Sequence, residues 1–123
     1  METAAFKQRV GQRLGIVPTA GSLSAEDGEL IESAYLSLVA ELGEHNLAWW
    51  YHPESVPDGY SDILCGMVAA MLVDDFGVPE PRRSQIITQH AFGLPIASHS
   101  ERRLRSLMRI PAVDRDSEEP EFY

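Results

Sequence analysis

Two adjacent carboxylates, Asp74 and Asp75, four histidines, one cysteine and a tryptophan pair are the side chains in this 123-residue sequence whose types invite a chemical reading. General acid–base work needs two titratable groups that converge on one reacting bond. Neighbours on a helix point about 100° apart, so Asp74 and Asp75 read as the solvated or capping end of a helix. His45, His52, His90 and His99 are scattered along the chain, whereas a metal centre draws several ligands to one point. They are expected as surface or half-buried imidazoles, with no metal and no cofactor. Cys65 lies in the most apolar stretch, without a base or cation next to it in sequence. A nucleophilic thiol needs such a neighbour to lower its pKa, so Cys65 reads as a small core residue. Trp49 and Trp50 offer either a binding platform or an aromatic plug for the core, and the plug, with one ring inward, is the favoured reading. There is no phosphate-binding loop, nucleophile elbow, paired His on one helix turn or Gly-x-Gly-x-x-Gly after a strand. The chain is not expected to be an enzyme.

What remains is arginine. Arg102, Arg103, Arg105 and Arg109 crowd one short stretch, which suits either nucleic-acid phosphates or bidentate pairing with carboxylates of a protein partner. Nineteen acids against ten bases give a net charge of -9, which disfavours a basic nucleic-acid reader of the usual kind. The charge is also segregated. Residues 1–13 carry three bases and one acid, and residues 14–81 carry twelve acids and no Lys or Arg. Residues 82–109 carry six Arg and one acid, and residues 111–123 carry five acids and Arg115. Each block repels itself, so the pattern favours pairing between blocks, within the fold or between copies.

These side chains must be positioned by helices, because the apolar periodicity is helical nearly throughout. Phe6, Val10 and Leu14 recur every fourth residue and predict a first helix that stops at Gly15. Ser24 with Asp27 predicts the start of a second helix, whose apolar stripe is Leu30, Ile31, Ala34, Tyr35, Leu38 and Leu42. An irregular aromatic segment follows, with Trp49, Trp50, Tyr51, His52 and Pro53. Pro57 and Asp58 suit the first turn of a third helix. That helix is apolar on nearly all sides, with Ile63, Leu64, Met67, Val68, Met71 and Leu72 against Gly66, Ala69 and Ala70, and so belongs in the middle. Pro79 and Pro81 precede a fourth helix with Ile86, Ile87 and His90. Ser98 and Glu101 form a capping-box pattern that opens a fifth, with Leu104, Leu107 and Met108 inside and Arg102, Arg105 and Arg109 outside. Pro111 is expected to stop it. The expectation is an all-α bundle of four to five helices over residues 1–110, followed by an extended acidic C-terminal arm over residues 111–123.

The length is that of one ordinary domain with one core. The lone cysteine excludes an internal disulfide and suits a reducing cytoplasm. The first ten residues lack the apolar segment of a signal peptide, and the longest uncharged apolar stretch, residues 63–73, is too short to span a bilayer.

The order of features resembles the head-to-tail connector, or adaptor, proteins of tailed bacteriophages. The resemblance is carried by Phe6-Lys7-Gln8-Arg9-Val10-Gly11-Gln12-Arg13-Leu14-Gly15-Ile16-Val17, then Gly21 and Ser24-Ala25-Glu26-Asp27 opening a helix. It continues through Val56-Pro57, the apolar helix ending at Phe76-Gly77, and the terminal Arg-Leu-Arg helix. It implies a twelvefold homo-oligomeric ring beneath the portal protein of the virion, made in the host cytoplasm. Such a ring extends the DNA channel without binding DNA specifically and gives a downstream tail or neck protein its platform. The resemblance also implies a portal-docking arm, with Phe122 and Tyr123 as anchors and Asp114, Glu118, Glu119 and Glu121 as its charged rim. Arg102, Arg105 and Arg109 are the expected subunit-interface residues. Two rival readings stand beside it: a soluble acidic helical binding protein that mimics DNA towards a basic partner, and a small regulator that uses the Arg helix on DNA.

Overall fold

In a computed structural model the described residues of the chain form an all-helical fold. It describes residues 2–17, 21–45, 47 and 58–116, with 58 and 108–116 as backbone only. Helix α1 (Thr3–Leu14) buries Phe6, Val10 and Leu14, the expected every-fourth stripe. It ends at Gly15, whose φ of 80° is a left-handed conformation that glycine adopts without a Cβ clash. Helix α2 (Ala25–Glu44) starts where Ser24 Oγ accepts the Asp27 backbone N–H at 3.2 Å, and Glu26 and Asp27 sit at the positive end of the helix dipole. Its buried stripe is Ile31, Ala34, Tyr35, Leu38 and Leu42. Leu30, expected in that stripe, is 40% exposed. It lies about 100° ahead of Ile31 on the helix surface, outside the arc that α1 and the next helix cover.

A single 3-10 turn, Asp58–Tyr60, leads into α3 (Ser61–Leu72), so the third helix proper begins a few residues after Pro57. Every residue of α3 except Asp62 and Met71 is buried. The all-round apolar helix is therefore the central one, in contact with α1 and α2 and with the two helices that follow. Helix α4 (Arg82–His90) buries Ile86, and α5 (His99–Asp116) inserts Leu104, which is fully buried. The core is continuous from Phe6 and Tyr35, whose ring centroids are 5.1 Å apart, through Leu64, Met67 and Val68 to Leu104.

The expected stop at Pro111 is not where the helix ends: α5 runs on to Asp116. A proline removes one backbone hydrogen bond and crowds the carbonyl four residues earlier, which can kink a helix without terminating it. Residues 117–123, which include Glu118, Glu119, Glu121, Phe122 and Tyr123, lie outside the described residues, as do Trp49, Trp50 and His52.

Candidate functional site

The arginine helix is anchored at its first turn. Ser98 Oγ accepts the Glu101 N–H at 3.2 Å, which is half of the predicted capping box. The other half is missing, because the Glu101 carboxylate turns to the preceding loop and to its own helix. It accepts the Gly93 N–H at 3.1 Å and the Arg105 Nε–H at 3.1 Å. Glu101 is buried, so its charge is met by an arginine and a backbone donor instead of by water.

Of the arginines expected at a subunit interface, Arg102 is exposed and makes no ion pair among the described residues. Arg105 is exposed but already engaged by Glu101. The side chains of Arg109 and of Asp114 lie outside the described residues. Arg103, counted in the arginine cluster but not among the expected interface residues, stands on the outer side with Arg102 and comes within 4.0 Å of Asp62. The same Asp62 carboxylate accepts from Arg13 Nη2 at 3.1 Å. One exposed carboxylate of α3 thus draws guanidinium groups from α1 and α5. Nearby, Arg82 Nη2 donates to the Arg13 carbonyl at 2.6 Å and closes the C-terminal end of α1. A helical wheel carries enough information to find Arg103. Arg82 meets Arg13 across 69 residues, and no spacing rule reaches that far.

The acidic block divides into acids with partners and acids without. Glu32 accepts from Lys7 Nζ at 3.0 Å and joins α2 to α1. Asp74 takes a two-point contact from Arg83, at 2.6 and 3.2 Å, and this hydrogen bonding holds its carboxyl below the usual value. Glu80 accepts from the Ser84 hydroxyl and backbone N–H, at 2.7 and 2.9 Å, and is likewise lowered. Asp74 and Asp75 do not converge on a shared site: Asp74 serves Arg83, and Asp75 is exposed beside it. On α2, Glu26, Glu29, Glu41 and Glu44 are exposed and form no ion pair among the described residues. Glu26, Glu29 and Glu44 share the side of α2 that faces away from its buried stripe, and Glu41 lies at the edge of that stripe beside Ala34.

The remaining chemical candidates are structural. Cys65 is fully buried, and desolvation pushes its thiol up to about 11, so it is neutral and unreactive. His45 caps the end of α2 and meets Phe92 edge-on, with centroids 5.2 Å apart. His90 is half-buried between α3 and α5, and its Nδ1 shares a 2.6 Å hydrogen bond with Ser100 Oγ. Ser100 is only 3% exposed, so this pair fastens α4 to α5 and presents no nucleophile to a substrate. Among the described residues no group of three or more His, Cys, Asp or Glu side chains is placed to hold a metal ion. No helix among them is long and apolar enough to cross a membrane.

Comparison of the chain with protein-family models, with characterised proteins and with solved structures gives no match.

Proposed function

We propose that this protein is a non-enzymatic structural adaptor of the head-to-tail junction of a tailed bacteriophage. Copies form a ring beneath the portal, extend the DNA channel and carry the tail proteins below. The observation that carries the reading is the order of elements: a capped helix opened by Ser24, a central apolar helix α3, and a terminal Arg-bearing helix α5 on the surface of a five-helix bundle. That order is the one on which the sequence resembles phage adaptors. A conduit must let DNA pass without holding it, and a surface dominated by carboxylates repels phosphates. In this reading the C-terminal residues 117–123, with Asp114 before them, dock on the portal, and Phe122 and Tyr123 are the anchors.

Electron microscopy of the purified chain, alone and mixed with the portal protein of the same genome, tests the reading. The expected image is an open-centred ring coaxial with the portal. Deleting residues 117–123 should leave the circular dichroism of the bundle intact and abolish attachment. A chain that stays single in both conditions overturns it.

The exposed carboxylates Glu26, Glu29, Glu41 and Glu44, which form no ion pair among the described residues, favour a second reading, an acidic binding protein that presents a phosphate-like row to a basic partner. Such a protein would act as a monomer or dimer, compete with duplex DNA for a DNA-binding protein, and ignore the portal.

A further inference from the structure

Two helices that pack on α3 carry outer faces of opposite charge. Helix α2 packs on α1 and α3, and the residues of its far face are exposed. That face and its flank carry Glu29, Glu41 and Glu44 with Leu30, Leu36 and Ala40. Leu30 and Leu36 are 40% and 47% exposed, which makes them two of the large apolar side chains most open to water. At about 100° per residue Glu29, Leu36, Ala40 and Glu44 lie opposite Ile31, Leu38 and Leu42, while Leu30 and Glu41 lie on the flank next to Ala34. Helix α5 packs on α3 and α4 and turns Arg102, Arg103 and Arg105 outward. Among the described residues Glu29, Glu41 and Glu44 form no ion pair, and neither does Arg102.

We infer that the outer face of α2 in one copy is the seat for the arginine face of α5 in the next. This rests on the reading of the chain as a subunit of an assembly, and it names the surfaces that meet. The occupant is a second copy because the chain itself supplies the complement of each face. Copies with a net charge of -9 repel one another at long range, so association needs a local match. Placing a basic face on an acidic one provides it within the Debye length of about 8 Å at physiological salt. Leu36 and Leu30, which flank Glu29 and Glu44 around the helix, then lose water as those carboxylates meet the arginines. Because the two faces differ, the contact is head-to-tail and propagates, giving a ring if the rotation closes and a filament if it does not.

A charge-swap experiment on the full chain decides it. One variant carries Glu29→Lys, Glu41→Lys and Glu44→Lys; the other carries Arg102→Glu and Arg103→Glu. All five positions are exposed, and circular dichroism confirms that each variant is folded. In analytical ultracentrifugation the wild-type chain should assemble, less so as salt is raised, and each variant alone should lose association by about tenfold or more. The equimolar mixture should recover it, since the lysine face of one then meets the glutamate face of the other and the two native faces also meet. A wild-type chain that never self-associates, either variant assembling like wild type, or a mixture that stays dissociated each overturns the inference. Imaging separates this from the function proposed above. Assembly that obeys the swap but gives only open filaments keeps the α2–α5 contact and removes the ring. Rings that ignore the swap keep the adaptor and place its contacts elsewhere.

Discussion

The imidazole of His90 occupies the space that a side chain on Gly66 would need: a Cβ there would lie 2.5 Å from Nδ1 and 2.8 Å from Cγ. Glycine in the middle of the central helix costs backbone entropy, about 1 kcal/mol relative to alanine. In return it lets α4 approach α3 closely enough for His90 to reach Ser100.

Gly66→Ala should therefore destabilise the bundle even though it improves helix propensity. Forcing the ring aside costs about 1–3 kcal/mol, more than the propensity gain, and loosens the His90–Ser100 bond. In a His90→Ala background the same substitution should be neutral or stabilising by up to about 1 kcal/mol. Urea titrations of the four proteins form a double-mutant cycle. Equal effects of Gly66→Ala in both backgrounds would mean that the ring does not fill that space.

Stability should fall on mild acidification because of the same histidine. Burial lowers the His90 pKa, and Arg13 and His99 add to the lowering while Asp62 opposes it. The folded state thus prefers the neutral ring, and unfolding takes up a proton. The contribution is complete above the ordinary value of 6.5 and is lost as the pH falls from there through the depressed folded value. The lowered carboxyls of Asp74 and Glu80 act further down: their contribution is present above the ordinary values of 3.8 and 4.5 and is lost as the pH falls below them. Between about pH 7.5 and about pH 5 the urea midpoint of the wild-type protein should drop. His90→Asn, whose amide takes the place of Nδ1, should flatten that slope. Parallel slopes for the two proteins would remove His90 as the cause.

Removing the Glu101 carboxylate should free the loop ahead of α5. Glu101→Ala leaves the Gly93 N–H without its acceptor and should cost about 1–3 kcal/mol. Glu101→Gln retains an oxygen for Gly93 and should cost less. Amide exchange at Gly93 is the direct readout: slow in wild type and in the glutamine variant, fast in the alanine variant. A Gly93 amide unaffected by Glu101→Ala would show that the bond does not hold the loop.

Met67, 1% exposed in α3, tests the core. Met67→Asp buries a charge with no partner, at several kcal/mol, against a total stability on the order of 5–15 kcal/mol for a domain of this kind. Unfolding at ordinary temperature is expected, whereas Met67→Leu should change stability by less than about 1.5 kcal/mol. An unaltered thermal melt for the aspartate variant would show that this position is not enclosed.

The features legible in the amino-acid order are those whose physics is local. Phe6, Val10 and Leu14 declare α1 because a 3.6-residue repeat needs only its own helix to align a stripe. Ser24 and Ser98 declare helix starts because each hydroxyl bonds an amide three residues on. The central place of α3 follows from composition, since a helix without a polar side has no stable position at the surface. The tertiary structure decided what depends on neighbours far along the chain. Leu30 is exposed because α1 and α3 cover only one arc of α2, and its own sequence neighbourhood does not reveal where that cover ends. Asp62 meets Arg13 across 49 residues, and this pairing, with those of Glu32, Asp74 and Glu80, separates acids that hold the fold from Glu29, Glu41 and Glu44, which form no ion pair among the described residues. The extension of α5 past Pro111 shows the limit of local rules: a proline adds a cost at one point, and whether a helix ends there is settled by the balance over the whole element.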